Sequence, residues 1–200
     1  MEGEKVDVYK VYNKIASWYA ENRGQDLNER KYLDELIKII PAKGTVLDLG
    51  CGTGKPIALY LQSQGLDVTG VDASNAILEI AKVNVPKVNL ILQDMRDLKL
   101  DKKFDAIIAW HSFFHLNAEA QRDMFLKFET HIKPGGILLF TSGDEEGEAW
   151  GMNGGENLYH ASLSKEEYEA LLKEHHFEVL KQVSNDQECG GATVWMAQYK

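Results

Sequence analysis

Only two of the 200 residues are cysteines, Cys51 and Cys189. They are too few for a disulfide framework and not in a CxxC pair, so neither a bridge nor a zinc site is expected and a reducing compartment fits. Long apolar runs are missing too. Nothing approaches the ~20 residues that span a bilayer, and Met1 is followed by Glu2-Gly3-Glu4-Lys5 in place of a basic patch and an apolar core. The expectation is a cytoplasmic protein with no membrane partner. Positive charge is scarce: 22 Lys and Arg stand against 31 Asp and Glu, a formal net charge of -9. That balance repels a phosphate backbone, and no Lys/Arg stripe with interleaved aromatics offsets it, so nucleic acid is not expected as a partner. Six histidines are present, but His111 and His115 form no H-E-x-x-H and His175-His176 close a helix, which argues against a metal.

What is present is a 44% hydrophobic composition, enough for one domain over residues 1–200 with a core between two helical layers. Val46-Leu47-Asp48-Leu49 reads as the end of a buried strand, and Gly50-Cys51-Gly52-Thr53-Gly54 breaks it with three glycines spaced two apart. Such a turn can cradle a nucleotide-like ligand. Before it, Val8, Val11, Tyr12, Ile15, Trp18 and Tyr19 recur at helical spacing within Val6–Glu21, and a second helix runs from about Asn28 to Ile39. Residues 1–40 thus read as an amino-terminal helical cap.

After the turn, helix and strand alternate. Ile57–Ser63 is a helix, Val68–Asp72 a strand ending on a carboxylate, Ala76–Lys82 a helix, and Val88–Leu92 a strand followed by Asp94. Phe104–Trp110 is a fourth strand, with His111-Ser112-Phe113-Phe114-His115-Leu116 leaving its carboxyl end, where ligands gather in open α/β sheets. A helix over Ala118–His131, a turn at Lys133-Pro134-Gly135-Gly136 and a strand over Ile137–Thr141 follow. The alternation implies an α/β fold, a mostly parallel sheet with helices on both faces. From Ser142 to Ala161 the periodicity stops, and this glycine-punctuated stretch reads as a loop able to act as a lid. Ser164-Lys165-Glu166-Glu167 opens a last helix, and Phe177–Val183 and Thr193–Tyr199 close the chain as strands.

The glycine spacing is G-x-G-x-G, with Lys55 where a dinucleotide fingerprint places its last glycine, and no G-x-x-x-x-G-K-[ST] occurs. Here the chain resembles the class I S-adenosylmethionine-dependent methyltransferases. Asp48 to Gly54 is similar to their first motif, Val71-Asp72-Ala73-Ser74 to the segment after it, Asp94-Met95 to the adenine-side motif, and Lys133-Pro134-Gly135-Gly136 to the turn before their fifth strand. The resemblance implies a Rossmann-like doubly wound sheet of about seven strands with a final antiparallel strand. It also implies S-adenosyl-L-methionine as cofactor and methyl transfer to a small-molecule acceptor.

By position, the resemblance places Gly50, Cys51, Gly52 and Gly54 around the cofactor's amino-acid portion, Asp72 with Ala73 at the ribose, and Asp94 with Met95 at the adenine. Asp48 is expected beneath the turn, accepting backbone N–H groups. Tyr12, Trp18 and Tyr19 would cover the methionine end, for which packing in a core stripe is an equal explanation, and Trp110 would face the pocket from its strand end. His111 and His115 are candidates for touching substrate or serving as a base, and Trp150, Asn157, Tyr159 and His160 for closing over the substrate. Two other readings stay open: a non-catalytic S-adenosylmethionine-binding regulator, and an NAD-dependent oxidoreductase, which the glycine spacing disfavours.

Overall fold

The computed structural model describes residues 7–24 and 26–200. Two helices come first, α1 (Val8–Asn22) and α2 (Arg30–Ile39); Val6, the expected start of the first helix, lies outside the described residues. Then β1 (Thr45–Leu49), α3 (Ile57–Ser63), β2 (Asp67–Asp72), α4 (Asn75–Asn84), β3 (Asn89–Leu92) and β4 (Phe104–Ala109) alternate. The chain continues through α5 (Ala118–His131), β5 (Ile132–Ser142), β6 (Gly147–Asn153), β7 (Glu156–Ser162), α6 (Lys165–Glu174), β8 (Phe177–Asp186) and β9 (Ala192–Tyr199).

Seven strands form one sheet in the order β3-β2-β1-β4-β5-β9-β8. Pairing is parallel from β3 to β5, and β9 runs antiparallel to both of its neighbours. Successive residues along the central strands point to opposite faces, and both faces are buried. Val46, Ile108 and Leu139 join the core beneath α2, α3 and α4, whereas Leu47, Ile107 and Leu138 join the core with α5 and α6. This is why those strands read as continuous apolar runs without alternation. The order reverses beside β1, which pairs with β2 on one side and β4 on the other, so a crevice opens at their carboxyl ends.

Helix starts follow local chemistry. Ser74 accepts from Ile77 N, Asn117 from Ala120 N and Ser164 from Glu167 N, each satisfying an otherwise unpaired first-turn donor. His176, just past α6, takes a left-handed φ of 65°.

Two segments differ from the sequence expectation. Residues 142–161 are not an irregular loop: β6 and β7 form an antiparallel hairpin in which Asn153 pairs with Glu156 across Gly154-Gly155. Both glycines have positive φ, 56° and 82°, as a two-residue hairpin turn requires. Glycine here marks a tight turn between strands. The hairpin lies on α1, where Leu158, Tyr159 and Ala161 pack with Val8, Val11 and Ile15. The second difference is Lys133-Pro134-Gly135-Gly136, which is no free turn. It lies within β5, where the register to β4 shifts between Phe104 and Ala106, so the extra residues are absorbed as an irregularity in the strand.

Candidate active site

A cleft of about 730 Å³, mouth included, lies over the carboxyl ends of β1 to β4. Its floor begins at Gly50 and Gly52, and α1 roofs it with Tyr12 and Tyr19. Gly50 takes a φ of 71°, and an added Cβ would stand 2.3 Å from Ser112 Cβ, so the turn and the segment after β4 touch backbone to side chain. Ser112 Oγ donates to the Leu49 carbonyl at 2.6 Å, fixing that approach.

The turn's own donors are largely committed within the fold. Gly50 N and Cys51 N both donate to Val71 O, at 2.7 and 3.1 Å, and Gly54 N donates to Cys51 O. Gly52 N donates to Asp72 Oδ2 at 3.0 Å, while Ser74 N holds Asp72 Oδ1 at 2.8 Å. Asp48 therefore does not collect the turn's N–H groups, as the sequence suggested. It is buried among charges instead. Burial, then the neighbouring Asp72 and Glu29 carboxylates, raise it to about 7, with Arg23 opposing. Asp72, in the cleft wall, is raised by burial and pulled back by its backbone donors.

The far wall carries Gln93, Asp94, Met95 and Arg96. Arg96 grips Asp94 in a fork, Nε to Oδ1 at 3.0 Å and Nη2 to Oδ2 at 2.5 Å, and its backbone N also reaches Oδ1. Asp94 keeps lone-pair capacity on Oδ2. Gln93 donates through Nε2 to Asp97 O at 3.0 Å, leaving its buried Oε1 without a hydrogen-bond partner among the described residues. An orphaned buried acceptor in a cleft wall is costly unless a ligand donor meets it.

Near the mouth, His111 leaves β4 at a φ of 50°. The protein around its ring, more than the Arg23 charge, pushes it down to about 4 although the side chain still meets solvent. His115 is pushed down to about 3 by burial, against a backbone hydrogen bond that raises it. Its ring lies 4.7 Å from that of His160 on β7.

Among the residues singled out from the sequence, Tyr12, Tyr19, Gly50, Gly52, Asp72, Ala73, Asp94, Met95, His111 and His115 come together around this cleft. The others do not line it. Cys51 is buried against β2, with its sulfur 2.8 Å from where a Gly70 Cβ would stand, and burial raises its thiol. Gly54 faces Val85. Tyr12 and Tyr19, seven residues apart, share one helical face, whereas Trp18 is turned about 100° from Tyr19 and lies against Gly154 of the hairpin, half-exposed. Trp110 points into the core on the same sheet face as Ala106 and Ile108, its ring 5.9 Å from Tyr32. On the hairpin, Trp150 is half-exposed beside Tyr159, and Asn157 is exposed opposite Met152. Tyr159 is buried and His160 stands behind His115, so both support the site from outside the wall. Sequence reasoning missed Val8, Tyr9, Gln93, Arg96 and Ser112 as lining residues. The position of Gln93 immediately before Asp94 was the available signal. Among the described residues no group of His, Cys, Asp and Glu is arranged to hold a metal ion, and no helix is long and apolar enough to cross a membrane.

Residues 46–136 match the family model of a methyltransferase domain. The putative methyltransferase YqeM of Bacillus subtilis is 39% identical over 142 residues, which cover 65% of this chain and 54% of that protein. The chain spans about half the length of the curated relatives it matches. Among solved structures, an S-adenosylmethionine-dependent methyltransferase from Clostridium acetobutylicum superposes with a TM-score of 0.74 at 18% identity, covering 94% of this chain and 99% of that one. S-adenosylmethionine-bound CalS10, an amino pentose methyltransferase from Micromonospora echinaspora, gives 0.72 at 19% identity, covering 97% of each. The match over residues 46–136 is thus to a methyltransferase domain, and the fold is the one seen in S-adenosylmethionine-dependent methyltransferases of known structure.

Proposed function

We propose that the cleft binds S-adenosyl-L-methionine and that the protein transfers its methyl group to a small-molecule acceptor. The observation that carries this reading is the charge of the cleft. Asp72 and Asp94 face it, Asp48 lies buried beside Asp72, and the one arginine in its lining, Arg96, is already forked on Asp94. Such a lining suits a cation bearing hydroxyls and an amine and repels the diphosphate of a dinucleotide. The residues present fit this cofactor. Asp72 would accept from the ribose hydroxyls, Oε1 of Gln93 and the remaining capacity of Asp94 would meet the adenine amine, and the Gly50–Gly52 turn admits close approach of the amino-acid portion.

Bound there, the cofactor supplies an activated methyl on a sulfonium. The chain's own part is orientation, under a roof of Tyr12 and Tyr19 that excludes water. Burial holds His111 and His115 neutral and leaves each a weak base. The amino pentose acceptor named for CalS10 supports a small-molecule acceptor here. Thermal denaturation with S-adenosylmethionine, S-adenosylhomocysteine and NAD tests the cofactor. At a concentration of ~100 Kd the true ligand adds about 2.7 kcal/mol, a rise of roughly 5–11 °C for a domain of this size. A shift by NAD and none by S-adenosylmethionine refutes the reading. Tight binding with no product from any acceptor in a metabolite extract would favour a regulator.

A further inference from the structure

The roof and one wall of the cleft meet in a chain of hydrogen bonds whose direction is fixed at one end. His115 Nδ1 lies 2.9 Å from the Tyr159 carbonyl oxygen on β7. A carbonyl only accepts, so Nδ1 carries the hydrogen. The neutral ring then has a bare lone pair on Nε2, and Tyr12 Oη, 2.9 Å away, donates its proton to it. With that proton committed, Tyr12 Oη turns lone pairs alone to the cleft it lines. The arrangement is held in place by neighbouring rings: Tyr19 at 5.3 Å edge-on to Tyr12, and Phe114 at 4.9 Å and His160 at 4.7 Å from His115. Burial keeps His115 uncharged near neutral pH and raises the phenol of Tyr12, so neither end of the chain reverses.

Resting on the cofactor reading above, we propose that Tyr12 Oη accepts a hydrogen bond from the N–H or O–H of the attacking group, which aims that group's lone pair at the methyl, so that the methyl acceptor enters as an amine or hydroxyl still carrying a proton. As the new bond to the methyl carbon forms and the sulfur–methyl bond breaks, that proton is released to solvent. His115 is the positioning residue that sets this polarity, and the Tyr159 carbonyl sets His115. A thioether or a fully substituted nitrogen would set lone pair against lone pair at the same point. The hairpin thereby takes part in acceptor selection without touching the ligand.

The test uses two ligands that differ at the transfer point: sinefungin carries an amine in place of the transferable methyl, on a carbon in place of the sulfur, and S-adenosylhomocysteine leaves a bare thioether there. Their dissociation constants are measured by calorimetry on the full chain, wild type and Tyr12→Phe, and ¹⁵N spectra of the imidazoles report the His115 tautomer. The expected result is an Nδ1–H tautomer and a wild-type preference for sinefungin of about tenfold or more, cut to under threefold in Tyr12→Phe with S-adenosylhomocysteine affinity little changed. A merely structural role would weaken both ligands alike. Should Tyr12→Phe fail to fold, the double variant Tyr12→Phe, His115→Phe removes the pair without leaving Nε2 unpaired, and the same ratio is read there. A preference that survives the loss of the phenol, or an Nε2–H tautomer, overturns the proposal. Binding of none of the cofactor's analogues by the wild type would overturn the cofactor reading itself.

Discussion

Gly50→Ala tests the geometry on which the cleft depends. Gly50 takes a φ of 71°, and a methyl there would stand 2.3 Å from Ser112 Cβ and 2.9 Å from Ser112 Oγ. Two costs follow. Holding an L-residue in the left-handed region costs about 1–2 kcal/mol. The contact adds ~1–3 kcal/mol of overpacking, because Ser112 is tied by its bond to the Leu49 carbonyl and cannot swing away freely. The sum is about 2–5 kcal/mol, a fall in Tm of roughly 4–20 °C for a domain of this size. Gly65→Ala provides the comparison, since Gly65 has a φ of 82° with nothing within 4 Å of an added Cβ. It should lose the conformational cost alone. Pairing Gly50→Ala with Ser112→Gly should recover the contact cost and leave the rest. Urea denaturation of the four proteins measures each difference. Equal losses for Gly50→Ala and Gly65→Ala would refute the claim that the turn and the segment after β4 are in contact at this point.

Three further outcomes are expected. Asp72→Asn should weaken S-adenosylmethionine binding by about 10–100-fold in calorimetry, the worth of a hydrogen bond to a charged group, while the fold persists because the amide oxygen still accepts one backbone N–H. His115 is held near 3 in the folded protein against ~6.5 unfolded, so its neutral form stabilises fully above pH 6.5 and that contribution is lost as pH falls toward 3. His115→Phe should therefore flatten the acid limb of stability by up to about 1.4 kcal/mol per pH unit between pH 6 and 4, and an unchanged slope would count against a buried neutral ring. Asp48 carries the opposite sign. Raised to about 7 from an unfolded value of ~3.9, it stabilises fully below pH 4 and loses that contribution as pH rises through 7. Asp48→Asn should thus gain on the wild type across pH 4–7 in denaturant titrations and hold a constant margin above pH 8.

The parts of this molecule legible in the sequence are those governed by local pattern. The run Val46–Leu49, the strand ending at Asp72 and the strand from Phe104 show their burial on both faces as uninterrupted apolar residues, and the βαβ alternation then leaves few topologies. Which aromatic faces the cleft was not legible. Tyr12, Trp18 and Tyr19 all fall on a broad apolar stripe, and the angle that separates Trp18 from the other two acquires meaning once the hairpin is known to occupy that side of α1. Trp110 illustrates the same limit. A tryptophan at a strand end has two faces of the sheet open to it, and the alternation along β4 puts Trp110 on the face of Ala106 and Ile108, away from that of Ile107 and Ala109. Gln93 escaped notice because its significance is an unpaired oxygen, a property of neighbours and not of residue type.

The hairpin changes how the site must be understood. A solvated loop over 142–161 would leave His115 Nδ1 facing water, the imidazole free to exchange tautomers, and Tyr12 free to donate or accept. As strands, β6 and β7 bury Leu158 and Tyr159 against α1 and hold the Tyr159 carbonyl at a fixed place. Backbone pairing in a sheet of two strands, remote from the glycine turn, thus reaches the cleft through one carbonyl and one imidazole. The direction of the Tyr12–His115 bond is then set by three segments far apart in the chain, α1, the segment after β4 and β7. Neither α1 nor the segment after β4 could enforce it alone, since each supplies one partner of a bond whose direction the third determines.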